Sequence, residues 1–354
     1  MTDDDRREWQ SCLRLTLHIV TTVVPHLINL SILSDWEPSL LCAPLAQLRT
    51  LRAFSVNRMN VDELRVLATL PNLEKLSIYS IEEPGQLSST HVSTAFPRLE
   101  NLHIVEHPNG NRLYPFLSAP LLRKLTVSHY KGIRILNLRE SCAAWSRWFP
   151  LLESLYLGLT TVSEPIPGYP QSYSDALKPI FRLRSLKSVQ ISAPAQLLHL
   201  DDEDIQAISR AWPKLSSAIF IGEKYDEAQT AEGTAPCLSP SSLVSLALDC
   251  PRLHTLELPR VKVDLKNVAA LSDYPVLNHP LSSLHVERMF TTDCSLAALL
   301  IDRIFPHLDD DVGGPLAELT TTWEEVMYQL SICRMARQQH AERPALLQVQ
   351  SSEA

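Results

Sequence analysis

An apolar triad of the form Leu-x-x-apolar-x-apolar recurs ten times along the chain. The last two apolar residues of each triad lie two positions apart, which places them on one face of a β-strand, and the first leucine marks the bend where the chain enters that strand. In seven triads a proline stands two residues before the first leucine, and these seven begin at Leu27, Leu73, Leu99, Leu122, Leu152, Leu215 and Leu253. The other three triads begin at Leu51, Leu186 and Leu281. The pattern predicts ten short strands.

The spacing of the triads predicts how these strands are arranged. Successive triads begin between 22 and 38 residues apart. One such strand cannot bury its apolar face alone, whereas stacked neighbours bury it in a continuous core. We therefore predict an α/β leucine-rich repeat solenoid of about ten repeats, with a curved parallel sheet on one side and helices and loops on the convex side.

Several segments between the strands have helical spacing. Ile205, Ile208 and Trp212 repeat at i, i+3, i+7, and similar sets occur around Leu64, Leu243 and Leu296. A proline after such a segment removes a backbone donor and disfavours the helical conformation of the preceding residue, so we expect each proline to end a helix. The acidic run at 201–204 stands where a helix should begin, and a helix start is favoured there over a cation site.

The repeat pattern also divides the chain. Residues 1–24 form an N-terminal cap, in which Leu13, Leu15, Leu17 and Ile19 alternate as in a strand, although a helical cap also fits. The solenoid, expected to be one elongated body, occupies residues 25–308, with surface-loop insertions near 160–179 and 222–240. Residues 309–341 contain a C-terminal capping helix, which begins with a capping-box pattern at Thr322 to Glu325. Residues 342–354 are expected to be a disordered tail.

Composition excludes several classes of protein. The net charge of −8 argues against a large phosphate-binding surface, so nucleic acid is not an expected partner. The chain begins with acidic residues at 3–5, where a secretory signal would be basic, and no apolar stretch is long enough to span a bilayer. We therefore expect no membrane association and a cytoplasmic or nuclear location.

The residues that usually carry catalysis or metal binding are scattered. The seven cysteines include no Cys-x-x-Cys pair and are odd in number, which predicts reduced, mostly buried thiols rather than disulfides or a zinc site. The twelve histidines are dispersed, and the chain has no glycine-rich phosphate loop and no Gly-x-Ser-x-Gly. The sequence predicts no enzymatic activity, no cofactor and no metal.

The candidate binding residues lie between the buried positions of the predicted strands. Such residues point to the side of the sheet opposite the core, which is concave in a solenoid. Most of them are polar, aromatic or hydrogen-bonding, which suits recognition of a polypeptide, although loops and solenoid ends are competing sites. We call this surface the polar strand face, and its candidate protein-binding residues are Lys75, Ser77, Tyr79, Asn101, His103, Lys124, Thr126, Tyr156, Gln190, Glu257 and His285.

Four phrases of the chain resemble the repeat region of fungal F-box/leucine-rich-repeat proteins. The resemblance covers most of residues 20–310. In that family an F-box docks onto the small adaptor subunit of a cullin ubiquitin ligase while the repeats hold the target protein, so the resemblance implies a substrate-receptor role. The phrases are Phe96-Pro-Arg-Leu-Glu-Asn-Leu-His-Ile104, Phe149-Pro-Leu-Leu-Glu-Ser-Leu-Tyr-Leu157, Asp249-Cys-Pro-Arg-Leu-His-Thr-Leu-Glu-Leu258 and Ile304-Phe-Pro-His-Leu308.

The chain departs from that family at its N-terminus. The family's F-box begins with a Leu-Pro-x-Glu signal, and residues 1–24 contain none. Only Leu299 to Leu308 is similar to part of an F-box helix, and a return helix after the last strand is the favoured interpretation there. The adaptor is therefore an expected partner only if an F-box lies outside this chain. The alternative is a free-standing interaction scaffold without a ligase connection.

Overall fold

The computed structural model describes twelve parts of the 354-residue chain, which divide into two compact units. The first unit comprises Met1–Leu198 with Glu223–Tyr225, and the second comprises His199–Gly222 with Asp226–Ala354. The described residues are 11–12, 15–16, 18–24, 26–32, 42–81, 94–107, 117–130, 135–159, 171–194, 198–223, 236–309 and 321–352.

The first unit contains seven strands that carry triads. They form a parallel sheet in the order β1-β2-β3-β5-β7-β8-β10. These strands are β1 Asn29–Ile32, β2 Ala53–Met59, β3 Lys75–Ile81, β5 Asn101–His107, β7 Lys124–Tyr130, β8 Ser154–Leu159 and β10 Ser188–Pro194. Four two-residue strands complete the numbering, namely β4 Thr94–Ala95, β6 Leu117–Ser118, β9 Gln171–Ser172 and β11 Leu198–His199.

The triads set the register of this sheet. The central buried position of each triad pairs with that of the next strand along the row Leu76, Leu102, Leu125, Leu155 and Val189. The last buried position pairs in the same way along the row Ile78, Ile104, Val127, Leu157 and Ile191. No side chain in either row is more than 1% exposed. The two strand positions predicted to be buried in register are confirmed.

The described residues of the second unit form three long strands and four helices. Strands β12 Ser217–Glu223, β13 Thr255–Val263 and β14 Ser283–Thr291 are parallel, and Ala218 pairs with Leu256, which pairs with Leu284. The helices are α5 Asp202–Ala211, α6 Pro240–Asp249, α7 Cys294–Ile304 and α8 Thr321–Ser352, with a 3₁₀ helix at Val268–Asp273. Both units thus have one parallel strand per repeat, the α/β leucine-rich repeat fold that the sequence predicts.

Beyond the N-terminal cap, the described residues of the first unit form four helices and a 3₁₀ helix. The helices are α1 Cys42–Leu45, α2 Val61–Ala68, α3 Ile135–Trp148 and α4 Tyr173–Leu177, and the 3₁₀ helix is Lys178–Arg182. Helix α2 begins with a capping box between Asn60 and Glu63. Helix α5 of the second unit begins with one between Asp201 and Asp204, so the acidic run at 201–204 is a helix start as predicted.

The Pro-x-Leu motif forms a β-turn that leads into the strand. In four of the six repeats whose Pro-x-Leu proline is described, the leucine N–H donates to the carbonyl of the residue before the proline. This bond places proline at the second position of the turn, where its fixed φ is favoured. These bonds are Leu122 to Ala119 at 3.0 Å, Leu152 to Phe149 at 3.2 Å, Leu215 to Trp212 at 3.1 Å and Leu253 to Cys250 at 3.0 Å. The expectation that every proline ends a helix is wrong, because Pro97 and Pro120 follow the short strands β4 and β6.

Three segments differ from the expected local structure. The cap is helical at 15–16 and 18–23, with the Val24 N–H bonded to the Val20 carbonyl at 2.9 Å, so it is not the favoured strand. Leucines at alternate positions fit both structures, and leucine is a strong helix former.

Residues 171–179 of the expected loop form β9, α4 and the start of a 3₁₀ helix, and Tyr173 and Leu177 are buried. Residues 342–352 of the expected tail lie within α8.

The second expected insertion is described only at its ends. Residues 224–235, like 160–170 of the first insertion, lie outside the described residues. Leu238 is fully buried and forms a parallel bridge with Val261 of β13. The insertion therefore rejoins the core of the second unit before α6 begins at Pro240.

Candidate functional site: the polar strand face

The polar strand face of the first unit is produced by simple alternation along each strand. In β3, Leu76 and Ile78 are buried, while Lys75, Ser77 and Tyr79 point to the other side and are exposed or half-buried. The same alternation holds in β5, β7, β8 and β10. All nine candidate residues of this unit are accessible, and they are Lys75, Ser77, Tyr79, Asn101, His103, Lys124, Thr126, Tyr156 and Gln190.

The register brings eight of these nine residues together in two rows. The central row pairs Ser77 with His103, Thr126, Tyr156 and Gln190 on successive strands. Because neighbouring strands lie about 4.8 Å apart, His103 and Gln190 are roughly 14 Å apart along this row. The preceding row places Asn101 between Lys75 and Lys124 and continues to Ser154. The face therefore offers hydroxyl, imidazole, phenol, amide and ammonium groups within one peptide-sized area.

His103 is the most constrained side chain of the central row. Its Nε2 atom lies 3.0 Å from the Ser128 hydroxyl oxygen, which belongs to β7 one row further on. Partial burial, reinforced by the positive charge of Lys124, lowers the pKa of His103 below its ordinary value. The imidazole is therefore neutral at physiological pH, and one of its nitrogens can accept a hydrogen bond from a ligand or from Ser128.

A glycine on the neighbouring strand lets the backbone approach Ser128. A Cβ atom added to Gly158 would lie 2.2 Å from the Ser128 carbonyl oxygen, far inside van der Waals contact. The register between β7 and β8 shifts in this region, between Val127 and Tyr130. Gly158 thus permits the irregularity that sets the position of Ser128 beside His103.

Charged residues pair where the strands of the first unit begin. Glu153 accepts hydrogen bonds from Arg123 and from Lys187, the latter at 2.6 Å, and Arg52 lies 3.5 Å from Glu74. The Lys187 hydrogen bond is the largest cause of the lowered pKa of the Glu153 carboxyl. These pairs are exposed to solvent, so each adds little stability. They border the polar strand face and leave its central row uncharged.

The other two candidate residues lie in the second unit. Glu257 is directly opposite His285 on β14 and opposite Ile219 on β12. Glu287, two positions beyond His285, accepts a hydrogen bond from the Gly222 backbone. Burial raises the pKa of the Glu287 carboxyl, although Arg288 and Arg260 act in the opposite direction. The central row of this unit contains the carboxyl group of Glu257, whereas the central row of the first unit has no charged side chain.

Sequence reasoning missed three residues of these surfaces. Ser128 lies two positions after Thr126 on the same strand, so alternation alone could have found it. Arg260 and Arg288 are paired directly opposite each other in the register of β13 and β14. Alternation could not have found this pair, because the buried positions of β13 change phase between Leu258 and Val261.

The described residues contain no cluster suited to metal binding, and burial disfavours reaction at two of their cysteines. No group of three or more His, Cys, Asp or Glu side chains within the described parts could hold a metal ion. Of the six cysteines whose surroundings are described, Cys142 and Cys250 are fully buried, fewer than the sequence led us to expect. Burial raises the pKa of both thiols, that of Cys250 to about 12, which disfavours a nucleophilic thiolate.

The segment that is similar to an F-box helix coincides with a core helix. Leu300 and Ile304 of α7 are fully buried, whereas Leu299 is 37% exposed. Helix α7 therefore presents little of its apolar surface, as expected for a return helix. In the described part of the chain, no helix is long and apolar enough to cross a membrane.

Comparison with known proteins gives no family for the chain. No protein-family model and no curated protein sequence matches it. Among solved structures it is similar to an internalin from Listeria monocytogenes, with 16% identity over 79% of this chain and 67% of the internalin and a TM-score of 0.44. It is also similar to the yeast Rad7 and Elc1 complex, with 16% identity over 84% of this chain and 74% of that one and a TM-score of 0.37. Neither likeness identifies a function for this chain.

Proposed function

We propose that this chain is a non-enzymatic recognition module that binds a target polypeptide on the polar strand face of the first unit. The observation that carries the proposal is the alignment of Ser77, His103, Thr126, Tyr156 and Gln190 in one accessible row. Directly behind that row lie strand positions that are at most 1% exposed. The binding groups are therefore mounted on a rigid core, which lowers the entropy lost on binding.

The chemistry of the row suits an extended polypeptide. A peptide lying across these strands presents alternating N–H and carbonyl groups, which hydroxyl, amide and neutral imidazole groups can pair with. Tyr156 stands near the middle of the row, where an aromatic side chain contributes most to an interface. The lysines of the preceding row, Lys75 and Lys124, add favourable interactions with acidic residues of a target.

The His103–Ser128 pair supports binding more than catalysis. A serine hydroxyl beside an imidazole is one part of a nucleophile–base arrangement, which also needs a group that orients the imidazole. Among the described side chains, no carboxylate is hydrogen-bonded to the other nitrogen of His103. The pair instead fixes the imidazole in one orientation for recognition.

A ligase connection is the finer part of this proposal. The resemblance to F-box/leucine-rich-repeat proteins suggests that the bound polypeptide is a ubiquitination target and that the chain acts as its receptor. The competing function is a free-standing scaffold, which would bind a target in the same way without a ligase adaptor. The two functions differ in adaptor binding and share the polar strand face.

The binding surface is tested by replacing His103, Tyr156 and Gln190 together with alanine. A target identified by affinity purification is produced in pure form, and its Kd is measured with both chains by calorimetry. Loss of three central contacts should weaken binding by about 30-fold or more. A control chain carries alanine at the exposed helix-side residues Arg139, Arg147 and Lys178 and should bind normally. Normal binding by the first variant would exclude the polar strand face.

The ligase connection is tested with the purified adaptor subunit. Because residues 1–24 lack the Leu-Pro-x-Glu signal, the chain as given should not retain the adaptor in a pull-down. Retention would show that an adaptor site lies elsewhere in this chain. In that case the exposed Leu299, rather than the buried Leu300 or Ile304, is the position of α7 to change to glutamate.

A further inference from the structure

A groove of about 490 Å³ lies in the second unit, away from the strands. Apolar side chains line most of it, among them Leu271 of the 3₁₀ helix, Val276 and Leu299 of α7. Val276 is 70% exposed and Leu299 is 37% exposed, so both offer apolar surface to solvent. A concave, mostly apolar site with a few polar groups is the usual form of a ligand-binding groove.

The wall of the groove is held in place by backbone contacts. The Leu277 N–H donates to the Arg303 carbonyl at 2.9 Å, and the Arg303 Nε donates to the Tyr274 carbonyl at 2.7 Å. His279, just beyond this segment, is buried and donates from Nε2 to the Cys250 carbonyl at 2.9 Å. Segment 274–279 is thereby fixed against α7, which indicates a groove that is formed before a ligand arrives.

The polar side of the groove is positively charged. Asp302 pairs with Arg337 and lies 3.8 Å from Arg334, so one carboxylate faces two guanidinium groups. Arg303 and Arg337 line the groove, whereas Arg334 is not part of its lining, and the described side-chain hydrogen bonds of Arg303 use only Nε. The Arg337 side chain is 52% exposed, whereas that of Asp302 is only 11% exposed. The groove therefore offers guanidinium donors to a ligand in a chain whose net charge is −8.

We propose that this groove is a second binding site, which takes an extended segment of a partner protein in which an apolar side chain lies next to a carboxylate. The apolar side chain packs between Val276 and Leu299, and the carboxylate pairs with Arg303 and Arg337. Arginine suits this role because its planar fork can bind a carboxylate through two parallel hydrogen bonds. The site is independent of the polar strand face, which lies on strands.

The test is selection of random dodecapeptides displayed on phage against the intact chain. Enriched peptides should carry Asp or Glu beside Leu, Ile, Val, Met or Phe. Synthetic copies of the best peptide are then measured by fluorescence polarisation against the wild-type chain and the Leu299→Glu variant. The variant should bind about tenfold more weakly, since a leucine contact is lost and a like charge is introduced. Leu248→Glu, at a 59% exposed leucine of α6, is the matched control and should bind normally.

The carboxylate contact is tested by a double-mutant cycle. Changing the acidic residue of the peptide to its amide should weaken binding to the wild-type chain about fivefold. The same change should have a clearly smaller effect on the Arg337→Gln variant, because only Arg303 then remains to pair with the carboxylate. The proposal is wrong if no peptide or only basic peptides are enriched, if Leu299→Glu binds normally, or if the cycle shows no coupling. The His103, Tyr156 and Gln190 triple variant should bind the peptide normally, which separates this site from the proposed function.

Discussion

The two units build the same repeat in different ways. In the first unit the strand face carries mostly neutral side chains, and the returns are mixed: α2, α3 and α4 lie in three of them, while the described ends of two others are the two-residue strands β4 and β6. In the second unit β13 and β14 are nine residues long, and the described returns before β12, β13 and β14 are α5, α6 and the 3₁₀ helix, respectively. The face of this unit carries charged side chains such as Glu257, Arg260 and Arg288. What the two units share is the pair of buried strand residues and the turn before it. The triad therefore specifies the fold, while the returns and the exposed face remain free to differ.

The largest expected effect tests what the units share. Leu102 of β5 is 1% exposed and Leu256 of β13 is fully buried, and both occupy the central triad position. Replacing either by alanine should lower the free energy of unfolding by about 2 to 5 kcal/mol, because a cavity is left in a packed core. Urea or guanidinium melts of each purified variant measure this change.

Exposed leucines provide the control for these substitutions. Leu121→Ala in the first unit and Leu248→Ala in the second remove the same atoms at positions 42% and 59% exposed, and both should change stability by less than about 0.5 kcal/mol. A small effect at only one of the two buried positions would mean that the central triad position does not have the same role in the two units.

Two glycine-to-alanine substitutions, one in each unit, should differ in their effect on stability, and the larger effect should be of intermediate size. Gly158→Ala in the first unit should destabilise by about 1 to 3 kcal/mol, because its Cβ would lie 2.2 Å from backbone that must move. Gly222→Ala in the second unit should stay within about 0.5 kcal/mol, since the nearest atoms lie at 3.5 and 3.6 Å. Thermal melts rank the two variants. Equal stability of the two variants would show that β8 can move away from β7 without lowering the free energy of unfolding.

The smallest expected effect is an opposite pH dependence in the two units. Burial lowers the pKa of His103 in the folded chain below 6.5. The stability that neutral His103 allows is therefore fully present above pH 6.5 and is lost as the pH falls through the lower folded pKa. Burial raises the pKa of Glu287 in the folded chain above 4.5. The stability that protonated Glu287 allows is therefore fully present below pH 4.5 and is lost as the pH rises through the higher folded pKa.

Matched variants separate the two contributions. Urea midpoints are measured from pH 4 to 7.5 for the wild-type chain, His103→Gln and Glu287→Gln. Acidification below pH 6.5 should destabilise His103→Gln less than the wild-type chain, and a rise above pH 4.5 should destabilise Glu287→Gln less. Parallel profiles for all three chains would contradict the burial of these side chains.

The strands could be predicted from the sequence because each triad is a local signal. The two buried strand residues lie two positions apart, and the alternation that buries them also exposes residues such as Ser77 and Tyr156. The N-terminal cap was less predictable, because four alternating leucine and isoleucine residues suit both strand and helix.

The contacts between distant segments could not be predicted in this way. The His103–Ser128 pair depends on the register of β5 and β7, and its geometry depends on a close approach at Gly158. The groove of the second unit joins residues from a 3₁₀ helix, the segment after it, α7 and α8. No local pattern brings Leu271, Leu299 and Arg337 together, since their proximity depends on how these elements pack.

The Pro-x-Leu turn has a consequence for how the chain tolerates changes in length. In four repeats the turn is closed by a hydrogen bond from the leucine N–H to the carbonyl three residues earlier, and the next strand then starts at a fixed distance from the proline, whatever the length of the return before it. Triad spacing varies from 22 to 38 residues, yet the buried pairs stay aligned from β2 to β10 in one unit and from β12 to β14 in the other. An insertion is absorbed within its own repeat and does not shift the phase of the strands that follow.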